Sequence, residues 1–343
     1  YGNLVEVKEY NGVSTYTTGY DYTLTNKLEK ITDSQGNIRN FHYDVLDNLD
    51  WQDMVHKSSV ATPEKINYTH DKNGNVLTEA SFKGDAISYV YDDLNRVLYE
   101  KLSGANQISY TYDQNDDVGQ LSFADYGGGN SKAYDYDTLG RLRTATTTIE
   151  NESFVMKYDY NLGGNLKEIT YPNGWVVTYA FNGVGQVDEV LLDKGTGGAI
   201  LSDSIEYNQN GQMTHYERAN GVITDYTYDP LENFRLTDLV SVQSTTTLQD
   251  MHYDYDNIGN IMQIVDASDT DLAKTVDYQY DDLNRLGTST VSYVTHPTDD
   301  YTRTYQYDAV GNMTYNSNLG VMDYDNDNPH QLSGYDTRTF MYD

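Results

Sequence analysis

The chain has 343 residues, 22 Lys and Arg against 53 Asp and Glu, a formal net charge of −31, and no cysteine. This charge excludes a nucleic-acid backbone and an anionic membrane surface as partners, and the lack of cysteine excludes disulfides and thiolate chemistry. Tyrosine dominates the aromatic residues, with 35 Tyr against 7 Phe and 2 Trp, which indicates thin, half-wet layers instead of one thick core.

A tyrosine-centred unit recurs along the chain, and its clearest form is YDYDTLGRL at residues 134–142. We call the second tyrosine of each unit the anchor, count positions from it, and number the repeats in chain order. The anchors of repeats 1 to 13 are Tyr22, Tyr43, His70, Tyr91, Tyr112, Tyr136, Tyr160, Phe181, Tyr207, Tyr228, Tyr255, Tyr280 and Tyr307. A shorter repeat 14 follows at Tyr324, and a truncated one begins at Tyr342–Asp343.

Each column of the repeat has a physical cause. Residues two apart on a strand face the same side, so the two tyrosines share a face. Asp or Asn at position +1 opens a turn, because its side chain accepts hydrogen bonds from the backbone ahead. Gly, Asn or Asp at +4 suits a positive φ, and the apolar residue at +6 begins the return strand. The columns therefore predict one β-hairpin per repeat.

The residues expected to specify these hairpins come from the five best-matching repeats and the tyrosine pair that opens the array. They are Tyr20, Tyr22, Tyr89, Tyr91, Asp92, Asn95, Tyr134, Tyr136, Asp137, Gly140, Leu142, Tyr253, Tyr255, Asp256, Gly259, Tyr278, Tyr280, Asp281, Asn284, Tyr305, Tyr307, Asp308 and Gly311.

The links between hairpins contain Gly, as in GGGNSK (127–132), or hold Pro outside the strands, as in ATPEK (61–65). No window shows a helical period. A single hairpin cannot bury a face alone, but stacked hairpins can. We therefore predict an all-β fold in which tandem antiparallel hairpins stack into a spiralling sheet or hollow β-solenoid-like shell. Residues 1–343 are expected to form one continuous array, and the start at Tyr1 without Met predicts a fragment of a longer chain.

The unit resembles the YD repeat of rearrangement-hotspot (Rhs) proteins, Tc-toxin components and teneurins. The resemblance rests on YDYDTLGRL, YDYDNIGNI (253–261), YQYDAVGNM (305–313) and YVYDDLNRV (89–97), and on the links YPNGWVVTY (171–179) and RANGVITDY (218–226). It covers roughly residues 20–343 and implies a wide β-ribbon that spirals into a hollow shell. In toxin members such a shell encloses a toxin, and in teneurins it is an extracellular recognition module.

One departure from the toxin members concerns self-cleavage. Those proteins end the array with a stretch like D-P-x-G-L, whereas the Asp229–Pro230 pair of this chain lies inside a repeat hairpin. Neither autoproteolysis nor a toxin domain is therefore assigned to this chain.

The many acidic residues allow more than one interpretation. A glycosidase needs a single carboxylate pair in a cleft, whereas these acids recur at every turn, which favours turn formation. The stretches DSQGN (33–37), DKNGN (71–75) and DYDNDN (323–328) resemble fragments of calcium loops, but none continues to the bidentate Glu of an EF-hand. No cofactor is predicted, calcium remains an alternative without assigned ligands, and the seven scattered histidines show no zinc pattern.

The tyrosine rows also have two interpretations. They could stack sugar rings as a carbohydrate-binding ladder, or they could pack as core. Their regular pairing with the apolar +6 column favours core.

These observations predict a non-enzymatic structural segment of an extracellular, secreted or cell-surface Rhs/YD-repeat protein. It would form the wall of a hollow β-shell or tube that encloses or displays other material. The alternatives are a cell-surface adhesion or carbohydrate-binding module and a self-assembling extracellular filament. The expected partners are neighbouring repeats of the same longer chain or further copies, with an enclosed toxin or surface glycans as further candidates. Nucleic acid and membrane insertion are not expected.

Overall fold

A computed structural model of the protein describes residues 2–103, 107–116 and 118–342, with the backbone alone at Asp116 and Glu232. Within these ranges the chain forms 31 β-strands and three short 3₁₀ helices. This confirms the prediction of an all-β chain of tandem antiparallel hairpins. None of the described segments is a helix of the length and apolarity that crossing a bilayer requires. Asp343, half of the predicted truncated repeat, lies outside the described residues.

The described residues fall into two compact units. The terminal unit contains residues 1–89, 258–263 and 274–343, and the central unit contains residues 90–257 and 264–273. Each unit is described by itself below.

The first part of the terminal unit is a run of short antiparallel strands. They are β1 (Glu6–Asn11), β2 (Ser14–Tyr22), β3 (Leu28–Thr32), β4 (Asn37–Tyr43), β5 (Leu49–Asp53), β6 (His56–Lys57), β7 (Lys65–His70), β8 (Val76–Ala80) and β9 (Ala86–Tyr91). Chain neighbours pair with each other, except that β6 pairs with β4 and β7 pairs with β5.

The central unit continues the same pattern with longer strands. They are β10 (Val97–Leu102), β11 (Gln107–Tyr112), β12 (Leu121–Gly127), β13 (Asn130–Tyr136), β14 (Leu142–Ile149), β15 (Glu152–Tyr160), β16 (Leu166–Thr170), β17 (Val176–Phe181), β18 (Val187–Asp193), β19 (Gly198–Tyr207), β20 (Met213–Arg218), β21 (Val222–Asp229), β22 (Arg235–Gln243) and β23 (Thr246–Tyr255). Two 3₁₀ helices, Gln114–Asp116 and Pro230–Glu232, occupy two of its turns.

The remaining strands complete the chain. They are β24 (Ile261–Asp266), β25 (Lys274–Tyr280), β26 (Leu286–Tyr293), β27 (Tyr301–Tyr307), β28 (Met313–Asn316), β29 (Gly320–Tyr324), β30 (Leu332–Tyr335) and β31 (Arg338–Thr339), with a 3₁₀ helix at Pro297–Asp299. From β25 to β31, which belong to the terminal unit, each strand runs antiparallel to the next.

Strand formation follows from the alternation of side chains. In β15, Tyr158 and Tyr160 are half-buried while Lys157 and Asp159 between and before them are exposed. The register against β16 shifts by one residue at Asp159 and Tyr160, which is a bulge where the strand enters its turn. The pattern puts one face of the hairpin against its neighbours and leaves the other in water.

The core is thin. Among the described residues, the apolar side chains that are buried are small or medium-sized, namely Ala124, Val177, Ile205, Val222 and Val291. The anchor tyrosines of repeats 1 to 14 are half-buried. Stability must therefore come from many modest contacts spread over the sheet, as the high tyrosine content predicts.

The hairpins give each unit two different edges. Because YD turns and links alternate along an antiparallel meander, the YD turns lie on one edge, the turn edge, and the links lie on the other, the link edge. In the terminal unit the link edge of the first repeats contacts the turn edge of the last ones. The contacts join Gly12 N to Asp282 Oδ2 (2.7 Å), Ser34 Oγ to Ala309 O (3.0 Å) and Lys57 Nζ to Asn326 Oδ1 (3.5 Å).

These three contacts share one register. The links ahead of repeats 1, 2 and 3 meet the turns of repeats 12, 13 and 14, respectively. Each link thus contacts the turn that lies eleven repeats further along the chain.

Candidate functional site

The YD turn is closed by its aspartate. In repeat 6 the Asp137 carboxylate accepts hydrogen bonds from Leu139 N (2.9 Å) and Arg141 N (3.0 Å). Arg141 also donates from its guanidinium to the same carboxylate at 2.7 Å. That side-chain bond is the main reason that the pKa of Asp137 lies below its usual value. The carboxylate is therefore held ionised as part of the turn.

The same backbone bonds recur at three further predicted aspartates. Each accepts from the backbone N–H groups at +3 and +5, in Asp92, Asp281 and Asp308. Asp256 accepts a bond from the Arg235 guanidinium on its backbone carbonyl. These acids are used by the turns that they open.

The residues at +4 take the left-handed conformation. Gly140 has a φ of +75°, Gly259 +105° and Gly311 +91°, while Asn95 and Asn284 have φ values of +63° and +62°. Residues other than Gly are sterically strained in this region, and Asn is strained less than most. Repeats 5 and 10 differ, because each of their turns contains a 3₁₀ helix. Positive φ occurs at Asp113, Asn115 and Gly119 in repeat 5, and at Asn233 and Phe234 in repeat 10.

In ten of the repeats, the anchor tyrosine joins its hairpin to the preceding one. Its ring is half-buried and its hydroxyl donates to a backbone carbonyl, most often that of the +6 residue of the previous repeat. The bonds, 2.8 to 3.1 Å long, run from Tyr22 to Leu4, Tyr43 to Leu28, Tyr112 to Val97, Tyr136 to Leu121, Tyr160 to Leu142, Tyr207 to Val187, Tyr228 to Met213, Tyr255 to Leu236, Tyr280 to Ile261 and Tyr324 to Met313.

Arginine at +5 covers the next anchor. The guanidinium carbon of Arg96 lies 4.4 Å from the ring centre of Tyr112, that of Arg141 lies 4.5 Å from Tyr160, and that of Arg285 lies 4.9 Å from Tyr307. Each of these arginines also binds the aspartate of its own turn. The turn aspartate, the +5 arginine and the next anchor thus form a chain that runs from hairpin to hairpin.

Burial changes the acidity of the anchor rings. Desolvation raises the pKa values of Tyr43, Tyr112, Tyr160, Tyr207, Tyr228, Tyr307 and Tyr324. Arginines that face some of these rings lower the pKa, but burial outweighs them. The neutral hydroxyl is thereby kept as a hydrogen-bond donor.

The other predicted residues occupy the same face. Each tyrosine at −2 is half-buried and sits on the side of the strand that carries the anchor, namely Tyr20, Tyr89, Tyr134, Tyr253, Tyr278 and Tyr305. Leu142 pairs in register with Tyr136 across the bulge and supplies the carbonyl that Tyr160 binds. The structure thus brings these residues together hairpin by hairpin, not at one centre.

The stretches that resemble calcium loops use their carboxylates in turns. Asp33 accepts from Gln35 N and Asn37 N, and Asp71 accepts from Asn73 N and Asn75 N, all at 2.8 to 2.9 Å. Within the described ranges, no group of three or more His, Asp or Glu side chains is arranged to hold a metal ion. The turn interpretation accounts for these acids without a cation.

Histidines pair with carboxylates across neighbouring strands. His215 Nδ1 lies 2.6 Å from Asp225, and His252 Nδ1 lies 2.8 Å from Asp238. Hydrogen bonds to these carboxylates raise the pKa values of both imidazoles. His70, in the anchor column of repeat 3, is half-buried like the tyrosines that it replaces.

The face of the central unit carries one notable concavity of about 790 Å³. Tyr216, Tyr226 and Arg218 line it, and the Arg218 guanidinium donates to the Tyr216 hydroxyl at 2.7 Å. Burial acts to raise the pKa of Tyr216, but bonds from Thr224 and Arg218 outweigh it and leave that pKa lowered. The polar groups that line the concavity therefore bond one another.

Sequence reasoning missed two features: the hydroxyl-to-carbonyl bond and the arginine over the next anchor. The Arg at +5 in YDYDTLGRL and YDDLNR was a signal for the second. The bonded carbonyl leaves no mark in a sequence, because every residue has one.

The chain is similar to several known proteins. A family model described as the teneurin YD-shell matches residues 65–198. Toxin subunit YenC2 of Yersinia entomophaga is 31% identical over 168 residues, a match that covers 39% of this chain and 17% of that protein. Toxin subunit YenC1 of the same organism is 28% identical over 175 residues and is covered over 18% of its length. The chain thus spans less than a fifth of these curated relatives.

Solved structures show the same fold. The crystal structure of TcdB2–TccC3–Cdc42 matches with a TM-score of 0.81 at 19% identity, over 97% of this chain and 20% of that chain. The Photorhabdus luminescens Tc holotoxin pore matches with a TM-score of 0.74 at 20% identity, over 88% of this chain and 17% of that one. The family model and the toxin-subunit relatives confirm the resemblance to the YD-repeat family, and the solved structures show that the chain has the same fold.

Proposed function

We propose that this chain is a non-enzymatic structural segment of an extracellular YD-repeat protein. Its hairpins form part of the wall of a hollow β-shell or tube that encloses or displays other material. The observation that carries the proposal is the repeated chain of contacts from turn aspartate to +5 arginine to the next anchor. Side chains that could perform chemistry are used here to join one hairpin to the next.

Two further expectations belong to this proposal. Residues 1–343 act as one continuous array, and the tyrosines, acids, glycines and asparagines named from the repeat columns specify its hairpins. The bonds at Asp137, Asp281 and Asp308 support that role, since each closes a turn.

A segment of such a wall would have two kinds of partner. Neighbouring repeats, in the same longer chain or in further copies, continue it, and an enclosed toxin is the candidate content. The toxin-subunit relatives support both this content and a secreted setting. The net charge of −31 suits a soluble wall and opposes binding to nucleic acid.

Electron cryomicroscopy of the natural polypeptide that contains this sequence tests the enclosure. We expect a β-walled particle with an interior space, and we expect polypeptide inside it to resist a protease until the wall is unfolded. A straight stalk without an interior, with all flanking polypeptide cleaved at once, would contradict the proposal.

A second experiment tests the absence of catalysis. The purified chain is assayed with glycoside, ester and peptide substrates, and we expect no turnover above the buffer rate. Activity that is lost when one turn acid such as Asp137 is replaced, while the fold persists, would overturn the non-enzymatic assignment.

A further inference from the structure

The hairpin of repeat 10 is joined to both of its neighbours by histidine–carboxylate pairs. We call β21, β22 and the turn between them hairpin 10. His215 of the preceding strand β20 places Nδ1 2.6 Å from Asp225 of β21, and His252 of the following strand β23 places Nδ1 2.8 Å from Asp238 of β22. The two residues of each pair lie directly opposite each other in the strand register. One histidine therefore contacts hairpin 10 from each side.

Both pairs lie on the face of the sheet that does not carry the tyrosines. Successive residues of a strand point to opposite faces, and Asp225 stands between Thr224 and Tyr226, which line the concavity on the tyrosine face. We call the other face of β19 to β23 the acid face. The strand register places these carboxylates on it: Asp203, Glu206, Glu217, Asp225, Asp238, Asp250 and Asp254.

Lys and Arg do not neutralise the acid face. The sequence contains no Lys from residue 195 to residue 273. Arg218 donates to the Tyr216 hydroxyl and lines the concavity on the tyrosine face. Arg235, the other arginine of these strands, donates to backbone carbonyls in the turn of repeat 11. The two histidines are thus the groups on the acid face that can become positively charged.

His215 has acids on every strand beside it. Glu206 lies opposite it on β19 and Asp225 lies opposite it on β21. On its own strand, Glu217 lies 3.7 Å from Nε2, and Asp203 of β19 pairs in register with Glu217. A proton on His215 is therefore attracted from both sides and along the strand.

His252 has similar surroundings. Asp238 lies opposite it on β22, and Asp254 of its own strand lies 3.5 Å from Nε2. On the other side of β23, Ala267 N donates to Asp250 O, and Val265, two residues before Ala267, adds no charge to this face. The charges around His252 are therefore also acidic.

These surroundings favour the protonated imidazoles. Hydrogen bonds to Asp225 and Asp238 raise the pKa values of His215 and His252, respectively, and outweigh the opposing effect of partial burial. A protonated imidazole forms a charge-assisted bond between strands, whereas a neutral one leaves the acids of this face to repel one another. Because the folded pKa exceeds the unfolded value of about 6.5, the stabilisation is complete below about pH 6.5 and is lost as the pH rises through the folded pKa.

We propose that His215 and His252 form a pH-sensitive clamp on hairpin 10, which holds both of its strands in mildly acidic solution and weakens as the histidines lose their protons. Bonds on the tyrosine face keep the hairpin in the sheet at either pH, because Tyr228 donates to Met213 O and Tyr255 donates to Leu236 O without involving a histidine. The clamp thus changes how firmly hairpin 10 is held, not the fold. The inference goes beyond the proposed function, since it gives the array one segment whose stability depends on pH.

Hydrogen exchange followed by mass spectrometry of the whole chain is the direct measurement. Exchange rates of peptides from residues 222–243 are measured at about pH 6 and about pH 8 and corrected for the intrinsic pH dependence of amide exchange. We expect the corrected rates to be higher at about pH 8. Peptides from residues 142–170, which contain no histidine, should show equal corrected rates. Equal corrected rates in residues 222–243 as well would overturn the proposal.

A double variant tests the two histidines. His215→Gln with His252→Gln removes both titrating groups and keeps an amide donor for each carboxylate. We expect the ratio of corrected exchange rates between the two pH values to fall to one in residues 222–243. His42→Gln is the matched control, because His42 Nδ1 lies 3.0 Å from Asp50 in the terminal unit, and it should keep the native ratio. A double variant with the native ratio, or a control without it, would contradict the proposal.

Proton NMR of the imidazole rings tests the carboxylates. In the native chain we expect His215 and His252 to titrate above about pH 6.5. Asp225→Asn with Asp238→Asn keeps the shape of both partners and removes their charge, so both titrations should move to lower pH. Native titrations at or below about pH 6.5, or titrations that stay the same in this variant, would refute the clamp.

Circular dichroism at both pH values verifies that all variants are folded. The enclosure experiment on the natural polypeptide is performed at a single pH and does not depend on these two histidines. Failure of the clamp and failure of the wall function are therefore separable.

Discussion

At the scale of single residues, the anchor tyrosine performs two tasks, of which phenylalanine could perform only the first. Its ring covers the neighbouring hairpin, and its hydroxyl binds a carbonyl of the previous repeat, as Tyr160 does with Leu142 at 2.9 Å. The same ring lies under the Arg141 guanidinium. One side chain thus connects three elements of a thin core, which explains the excess of Tyr over Phe.

Removing one such hydroxyl measures its contribution to the free energy of unfolding. Tyr160→Phe keeps the ring and leaves the Leu142 carbonyl without this donor, so we expect a loss of about 0.5–1.5 kcal/mol of unfolding free energy. Urea unfolding followed by circular dichroism gives the change in midpoint. Tyr158→Phe, on the same strand and face, is the control and should shift the midpoint less.

The chain offers the reverse substitution as well. Repeat 8 has Phe181 as its anchor, and Phe181→Tyr adds a hydroxyl where the pattern places it near the carbonyl of Leu166. A neutral or raised unfolding midpoint is expected. Clear destabilisation would argue against the hydroxyl as the feature that the anchor column selects.

Alkaline pH tests the burial of the rings. Burial raises the pKa of Tyr110 to about 12 and that of Tyr228 above its ordinary value, whereas tyrosine in an unfolded chain titrates near pH 10. The unfolded state therefore loses protons first, so stability is complete below about pH 10 and falls as pH rises towards 12. Tyrosinate absorbance and circular dichroism should change together in this window. Ionisation of all tyrosines near pH 10 with the fold intact would refute it.

At the scale of the hairpin, the turn is specified by an acid that accepts backbone bonds and a residue that accepts positive φ. Asp137 and Gly140 fill these two positions in repeat 6. Asn95 and Asn284 fill the second one elsewhere with φ values of +63° and +62°. The element tolerates exchange between Gly and Asn because both reach the left-handed region.

Substitution at Gly140 tests this. Gly140→Ala at φ +75° should cost about 1–2 kcal/mol, whereas Gly140→Asn should cost less. Both side chains begin with a Cβ that meets only the end of the Gln120 side chain, at 3.3 Å, so the comparison isolates the backbone preference. Thermal unfolding of the two variants decides it, and equal destabilisation would mean that crowding, not φ, matters at this turn.

At the scale of the whole molecule, 53 acidic residues against 22 basic ones must coexist in one array. Some of the carboxylates form local ion pairs, as Asp92 and Asp113 do with Arg96. The remaining carboxylates repel one another, and salt screens that repulsion.

Salt should therefore stabilise the chain. We expect the melting temperature to rise with NaCl, and CaCl₂ at equal ionic strength to give a similar rise. The same pair of titrations separates screening from cation binding. A large extra stabilisation by Ca²⁺ at low concentration would reveal a specific site and revive the calcium alternative.

Much of the fold could be predicted from the sequence alone. The hairpins, their turns and the antiparallel order depend on residues within about ten positions of each other, such as Tyr134, Asp137 and Gly140. Local preferences of strand, turn and positive φ all agree there, and agreement between levels makes a fold predictable. The family resemblance followed from the same columns.

Contacts between hairpins could not be predicted in this way. YDDLNR at 91–96 and at 280–285 is one sequence with two outcomes. A link eleven repeats away bonds the second turn, where Leu283 is half-buried, whereas Leu94 of the first turn is exposed. The sequence alone determined the shape of each hairpin, because the energies that form it are local. Only the tertiary structure decided which link meets which turn, because that depends on sheet twist accumulated over many strands, which no short window encodes.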